Sequence, residues 1–268
     1  MVFIMNGRSR FILVIVFFCF MFTSCSAKEP ANIQELSLHD QRADIDEITE
    51  AKYQKDGIEA SYPVFLYGAD EEKLKKWNQI ILQDFQKILQ IYAFNPFPEL
   101  TPSPTNIPNI LTIDYDIMLN NDQFISILYR ASFNSPYSAH PTNLVYTTNI
   151  DKTRDKRISL SDIIQINSDF VKAFRSWDFI AAEEGNKEYN QAIADYIANL
   201  SDEDLMMGFL NADKIGSENL LGVFSYLTSE RLGISIQVPN YIGDHVEFES
   251  DISGLTDYLN LDYKLNNP

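Results

Sequence analysis

Cysteine is almost missing from this chain. Its 268 residues hold two, Cys19 and Cys25, both close to the N-terminus. The body therefore has no disulfide and no thiol nucleophile, and burial alone must stabilise it. Basic charge is short as well: 21 Lys and Arg stand against 38 Asp and Glu, a formal balance of −17. A chain without a basic surface cannot displace phosphate counterions, which excludes nucleic acid as a partner. Histidine is scarcer still. His39, His140 and His245 lie far apart, with no His-x-x-His or His-Glu-x-x-His spacing. A zinc site would have to draw its ligands from three separate elements, so no metal is expected. No Gly-x-Ser-x-Gly elbow and no Walker loop occurs, and no cofactor is expected. One catalytic class survives these absences, because 38 acids supply many carboxylate pairs and a sequence carries no measure of their separation.

The one long apolar run is "FILVIVFFCFMF", Phe11 to Phe22, preceded by Arg8 and Arg10. Positive charge followed by roughly a dozen apolar residues is the pattern of a secretion signal, and is short for a membrane span of about 20. The run ends in "TSC", so a small residue, Ser24, directly precedes Cys25. This segment resembles the lipobox of bacterial lipoproteins, which implies cleavage before Cys25 and a lipid on its sulfur. An ordinary cleaved signal, or an anchor lengthened by Val2 to Met5, are the alternatives. Without Arg8 and Arg10 the mature chain has 19 basic residues against 38 acidic ones, a formal −19. Residues 25–46 are polar and read as a tether that lifts the folded part off a membrane. The roughly 240 residues left suffice for one large or two small cores.

An α+β fold is expected, with antiparallel sheets and packed helices. Lys55-Asp56-Gly57 reads as the bend of a hairpin. Leu74, Trp77, Ile81, Phe85, Ile88 and Tyr92 recur at intervals of three and four, which predicts one long amphipathic helix. The prolines of "NPFPELTPSPTNIP" must form a loop. Two extended runs joined at Asn120-Asn121-Asp122, and a third in "TNLVYTTNID", predict an antiparallel meander. A helix is expected to start at Ser161 or nearby, and one or two more across Ala173 to Leu200. Ser201 with Asp204 three residues later predicts a helix cap. Asp202, Glu203 and Asp204 are read as first-turn acids that the helix dipole favours, not as a metal cluster. Three short strands and a helix over Ser253 to Leu259 close the chain.

"DKTRDKRISLSD", Asp151 to Asp162, imitates a calcium loop. Asp151, Thr153, Asp155 and Ser159 place oxygens at its first, third, fifth and ninth positions, and Asp162 closes it. An EF-hand needs glycine sixth and glutamate twelfth, where this loop has Lys156 and Asp162. Lys152, Arg154, Lys156 and Arg157 would also repel a dication. The segment reads instead as strand, turn and helix start.

The run "SAHPTNLVYTTNIDKTRDKRISLSDII", Ser138 to Ile164, resembles a signature of Ala-His-Pro, a strand ending in Asn-x-Asp, a Thr-containing turn and a Leu-Ser-Asp helix start. That signature belongs to the RsiV C-terminal-like extracellular domain and the PdaC-like domain that precedes it. "SYPVF" with the long helix resembles the PdaC-like part, residues 47–150, and the chain from 151 to 263 resembles the RsiV C-terminal-like part. The two are expected to form one compact unit. Where the family turn carries Thr-Gly, this chain has Thr153-Arg154-Asp155, so a different turn is expected. The loop "PNYIGDH" is shorter than the family's Tyr-rich segment, and His140, on the family histidine, is read as a core or turn hydrogen-bonder. The resemblance implies a non-catalytic, envelope-exposed binding or sensing domain without the deacetylase or the sigma-factor-binding segment of its relatives. Its expected partner is a basic envelope protein such as lysozyme, or cell-wall glycan. A peptidoglycan-acting enzyme with paired carboxylates and a purely structural lipoprotein are the rival readings.

Overall fold

The computed structural model describes residues 48–67, 69–93, 109–136, 138–180, 187–216 and 218–260. Cys25, the tether, His39 and the proline cluster lie outside the described residues. Those described belong to one compact unit, Arg42–Pro268.

The expected hairpin joins β1 (Ile48–Lys55) to β2 (Ile58–Phe65). Asp56 and Gly57 both take positive φ, 51° and 84°, the bend whose twist matches the flanking strands. The apolar periodicity becomes α1 (Glu71–Ala93), which buries Trp77, Ile81, Phe85 and Ile88. The meander follows as β3 (Ile110–Asn120), β4 (Phe124–Asn134) and β5 (Thr142–Asp151). Its first bend is held by the Asn121 side chain, whose Oδ1 accepts from the Gln123 and Phe124 amides. A short β6 (Lys156–Ile158) completes a six-stranded sheet in chain order. One pairing departs from the antiparallel expectation. β2 and β3 run parallel, with Ala60 opposite Ile113, because α1 carries the chain back before β3 begins.

The second half opens with α2 (Leu160–Ile163), one residue ahead of Ser161. The capping residue is Ser159, whose amide and hydroxyl both donate to the Asp162 carboxylate. Next come α3 (Ser168–Phe174), a two-residue β7 (Asp178–Phe179), α4 (Lys187–Asn199) and α5 (Asp202–Leu210). Ser201 caps α5 as expected, accepting from the Asp204 amide. The three closing strands are β8 (Phe224–Leu227), β9 (Arg231–Gln237) and β10 (His245–Asp251). With β7 they form a four-stranded sheet in the order β7-β10-β9-β8. The closing helix is shorter than expected. A 3-10 turn covers Ile252–Leu255, and Leu259 then forms a lone bridge to Ile164.

Two apolar cores result. One is α1 against the larger sheet, and the other gathers α2 to α5 against the smaller. The alternation of β5 connects them. Thr148 and Tyr146 reach α1, at Asp84 and Tyr92, while Thr147 and Asn149 reach Asp213 and the Ser225 carbonyl on the other side. Asp213 is fully enclosed and accepts four hydrogen bonds: from Thr147 Oγ1, the Leu160 amide, and the amide and hydroxyl of Ser225. Burial pushes its carboxyl above the usual range, and those donors oppose the push. Beside it, Ser126 Oγ donates to Asn149 Oδ1 at 2.7 Å and accepts from the Leu227 amide at 2.9 Å. The joint between the cores is thus a saturated polar network, which fixes one register where an apolar contact could slide.

Candidate functional site

The sequence of β10, "HVEFESD", alternates polar and apolar from His245 to Glu249. Val246 and Phe248 turn into the second core, so His245, Glu247, Glu249 and Asp251 form one outward row. Each member meets a partner from outside β10, and Glu249 and Asp251 share one. Arg130 on β4 places Nη1 2.9 Å from Glu247 Oε1 and Nε 3.3 Å from Asp116 Oδ2. Arg231 on β9 places Nη1 3.1 Å from Glu249 Oε2 and Nε 3.2 Å from Asp251 Oδ1. Between them the buried phenol of Tyr226 lies 2.9 Å from Glu249 Oε1 and 3.2 Å from Glu247 Oε2, so one hydroxyl proton serves two carboxylates. The ring reaches this place only because its cross-strand neighbour is Gly233. A Cβ there would overlap the aromatic ring.

The row is half sunk: Glu247 and Glu249 keep only 13 % and 15 % of their side-chain surface exposed. Burial pushes the Glu247 carboxyl up, but His245 and Arg130 outweigh it and hold the group down at about 2. Burial and the two flanking carboxylates push the Tyr226 phenol up, which keeps it protonated. Asp116 and Asp251 stand at the margins, 58 % and 65 % exposed. Four carboxylates therefore face two guanidinium groups, and the row carries an excess of negative charge on a prearranged frame.

His245 links this row to the neighbouring end of the sheet. Its Nε2 lies 3.6 Å from Glu247 Oε1 and its Nδ1 3.4 Å from the Asn143 carbonyl. There Asp244, at φ 69°, accepts from the Asn143 amide and from Asn240 Nδ2, and Asn240 Nδ2 also lies 2.9 Å from His140 Nδ1. The Ala-His-Pro segment and the "PNYIGDH" loop are thus adjacent although about a hundred residues separate them. His140 is the expected turn hydrogen-bonder, exposed and not in a core.

The oxygens of the calcium-like loop diverge. Asp151 Oδ1 accepts from the Thr153 amide and hydroxyl and from the Arg154 amide, closing its own turn. Asp155 takes the positive φ of 49° that this bend needs and accepts from Trp77 Nε1 and Lys76 Nζ on α1. The Lys152 ammonium sits 5.0 Å over the Trp77 ring. Ser159 and Asp162 belong to the cap of α2. The loop fastens the long helix to the rest of the chain. In the first turn of α5, Asp202 pairs with Arg175 and Asp204 accepts from Ser201. Among the described residues no group of three His, Cys, Asp or Glu converges as a metal site. No described helix is long and apolar enough to cross a membrane.

Sequence reasoning missed the row itself. Its signal was the alternation of acids in "HVEFESD"; nothing local pointed to Arg130 or Tyr226. No protein-family model and no curated protein matches the chain. The resemblance to PdaC-like and RsiV C-terminal-like domains rests on the quoted motifs. Solved structures similar to it are bacterial DUF3298 family proteins. One, from Bacteroides fragilis, is 12 % identical with a TM-score of 0.47, covering 81 % of this chain and 94 % of its own. Another, from Pseudomonas aeruginosa, is 11 % identical with a TM-score of 0.43, covering the same shares.

Proposed function

We propose that this chain is a lipid-tethered, non-catalytic binding domain of the bacterial cell envelope, anchored through Cys25, that recognises a cationic envelope protein such as lysozyme through the β10 row. The observation that carries the reading is the surplus of carboxylates over guanidinium groups on a half-sunk, hydrogen-bonded frame. Preorganised acids lose little side-chain entropy when a lysine or arginine arrives. The formal −19 of the mature chain adds long-range attraction, which raises the rate of encounter.

Titration of the chain from Cys25 onward, carrying Cys25→Ser, against lysozyme at low and moderate salt tests the partner. Binding that weakens with salt, and falls about tenfold in Glu247→Gln/Glu249→Gln, is expected. No binding at either salt overturns the lysozyme assignment. Radiolabelled fatty acid on the wild-type chain, absent from Cys25→Ser, tests the anchor.

The single phenol between Glu247 and Glu249 favours examining the rival enzyme reading. A glycosidase needs one carboxyl raised so that it can act as acid. Glu247 is held low instead. Turnover of purified peptidoglycan that vanishes in Glu247→Gln would replace the binding reading by the enzymatic one.

A further inference from the structure

β7 stops after two residues. Phe179 and Asp178 pair with Phe248 and Glu249, and beyond Glu249 that side of β10 has no ladder partner among the described residues. A groove of about 490 Å³ opens there, within the size range of small-ligand sites. Half-buried aromatic side chains, Trp177, Phe179 and Tyr258, form part of its lining. Arg231, Glu249 and Asp251 form another part, with the guanidinium clamped between the two carboxylates. Both chemistries thus meet in one trough. Aromatic faces take up the C–H face of a sugar ring, and fixed acceptors with a forked donor match rows of hydroxyls. The lining acids, Asp178 among them, outnumber Arg231, so an anionic sugar is repelled.

We infer that the groove beside β7, between Trp177 and Tyr258 on one side and Arg231, Glu249 and Asp251 on the other, binds a short uncharged oligosaccharide. The groove shares Arg231, Glu249 and Asp251 with the β10 row, whereas Trp177 takes no part in that row.

Calorimetric titration of the full chain in detergent micelles with chitotriose, cellotriose, maltotriose and trigalacturonate tests it. At least one neutral trisaccharide is expected to saturate with a Kd below about 1 mM, and trigalacturonate to bind more weakly than that sugar. Trp177→Phe keeps an aromatic ring against Phe170 and Phe174, and Asp251→Asn removes the charge of an exposed group that pairs with Arg231. Each is expected to weaken the sugar about fivefold or more, while Trp177→Phe leaves the lysozyme titration unchanged. Absence of saturation up to about 10 mM for every neutral sugar, or saturation that neither variant alters, overturns the proposal. Sugar binding without lysozyme binding sinks only the cationic-partner reading, and the reverse result sinks only this one.

Discussion

The two cores are built differently. Around α1 every strand pairs with its neighbour in the chain, from β1 through β6, and apart from the β2-β3 pairing across α1 each of these pairings closes a short stretch of sequence. Around β10 the sheet instead recruits β7 from some 70 residues upstream, and α3, α4 and α5 pack on it after long detours. The chemistry follows the second pattern. The paired acids, the enclosed phenol and the mixed groove all sit on the small sheet, and the large sheet contributes Arg130 and Asp116 from outside. A locally assembled half serves as the rigid support, and the non-locally assembled half carries the polar side chains that have no role in its core.

The sharpest way to break this pairing is at its joint. Asp213→Ala leaves four enclosed donors without an acceptor, and a loss of about 4 kcal/mol is expected, read as a fall in the urea midpoint. If the midpoint hardly moves, the polar network does not hold the halves together.

Acid tests the small sheet together with its link to Arg130 on the large one. The folded-state value of Glu247, about 2, lies below its ordinary 4.5. Its contribution is therefore complete above about 4.5 and is lost as pH falls toward 2. The shift corresponds to about 3 kcal/mol. Glu247→Gln is expected to flatten the urea midpoint between those two pH values, and an unchanged slope would disprove the assignment.

Gly233→Ala puts a methyl group into the Tyr226 ring and is expected to cost about 2 kcal/mol. The double change with Tyr226→Leu should recover part of that, since the obstructed ring is gone. Smallest is Asn167→Ala, at about 1 kcal/mol by thermal melting. It removes the acceptor of the Asp169 and Phe170 amides at the start of α3 and leaves the large sheet intact.

Local rules were enough for the Asp56-Gly57 hairpin, the face of α1, the β3-β4-β5 meander and the cap at Ser201. In each case the decisive residues are within about one or two helical turns or strand steps of one another, where periodicity and turn chemistry operate. They were enough, too, to see that "DKTRDKRISLSD" lacks the glycine and glutamate of a calcium loop. They misplaced the cap of α2 by two residues, because Ser159 and Ser161 both stand within a few residues of Ile163 and Ile164 and only the re-entry of β6 selects between them. They also missed the parallel pairing of β2 with β3, which depends on where a helix returns the chain.

The candidate site lay beyond that reach. Glu247 and Arg130 are 117 residues apart, and Asp213 meets Thr147 66 residues away. Neither distance leaves a periodic trace, because such meetings follow from how two sheets stack and not from any neighbour along the chain. Composition and local pattern could say that this protein is acidic, free of disulfides in its body and mixed in secondary structure. Packing alone set which few of its 38 acids stand together, with what cations and around which phenol.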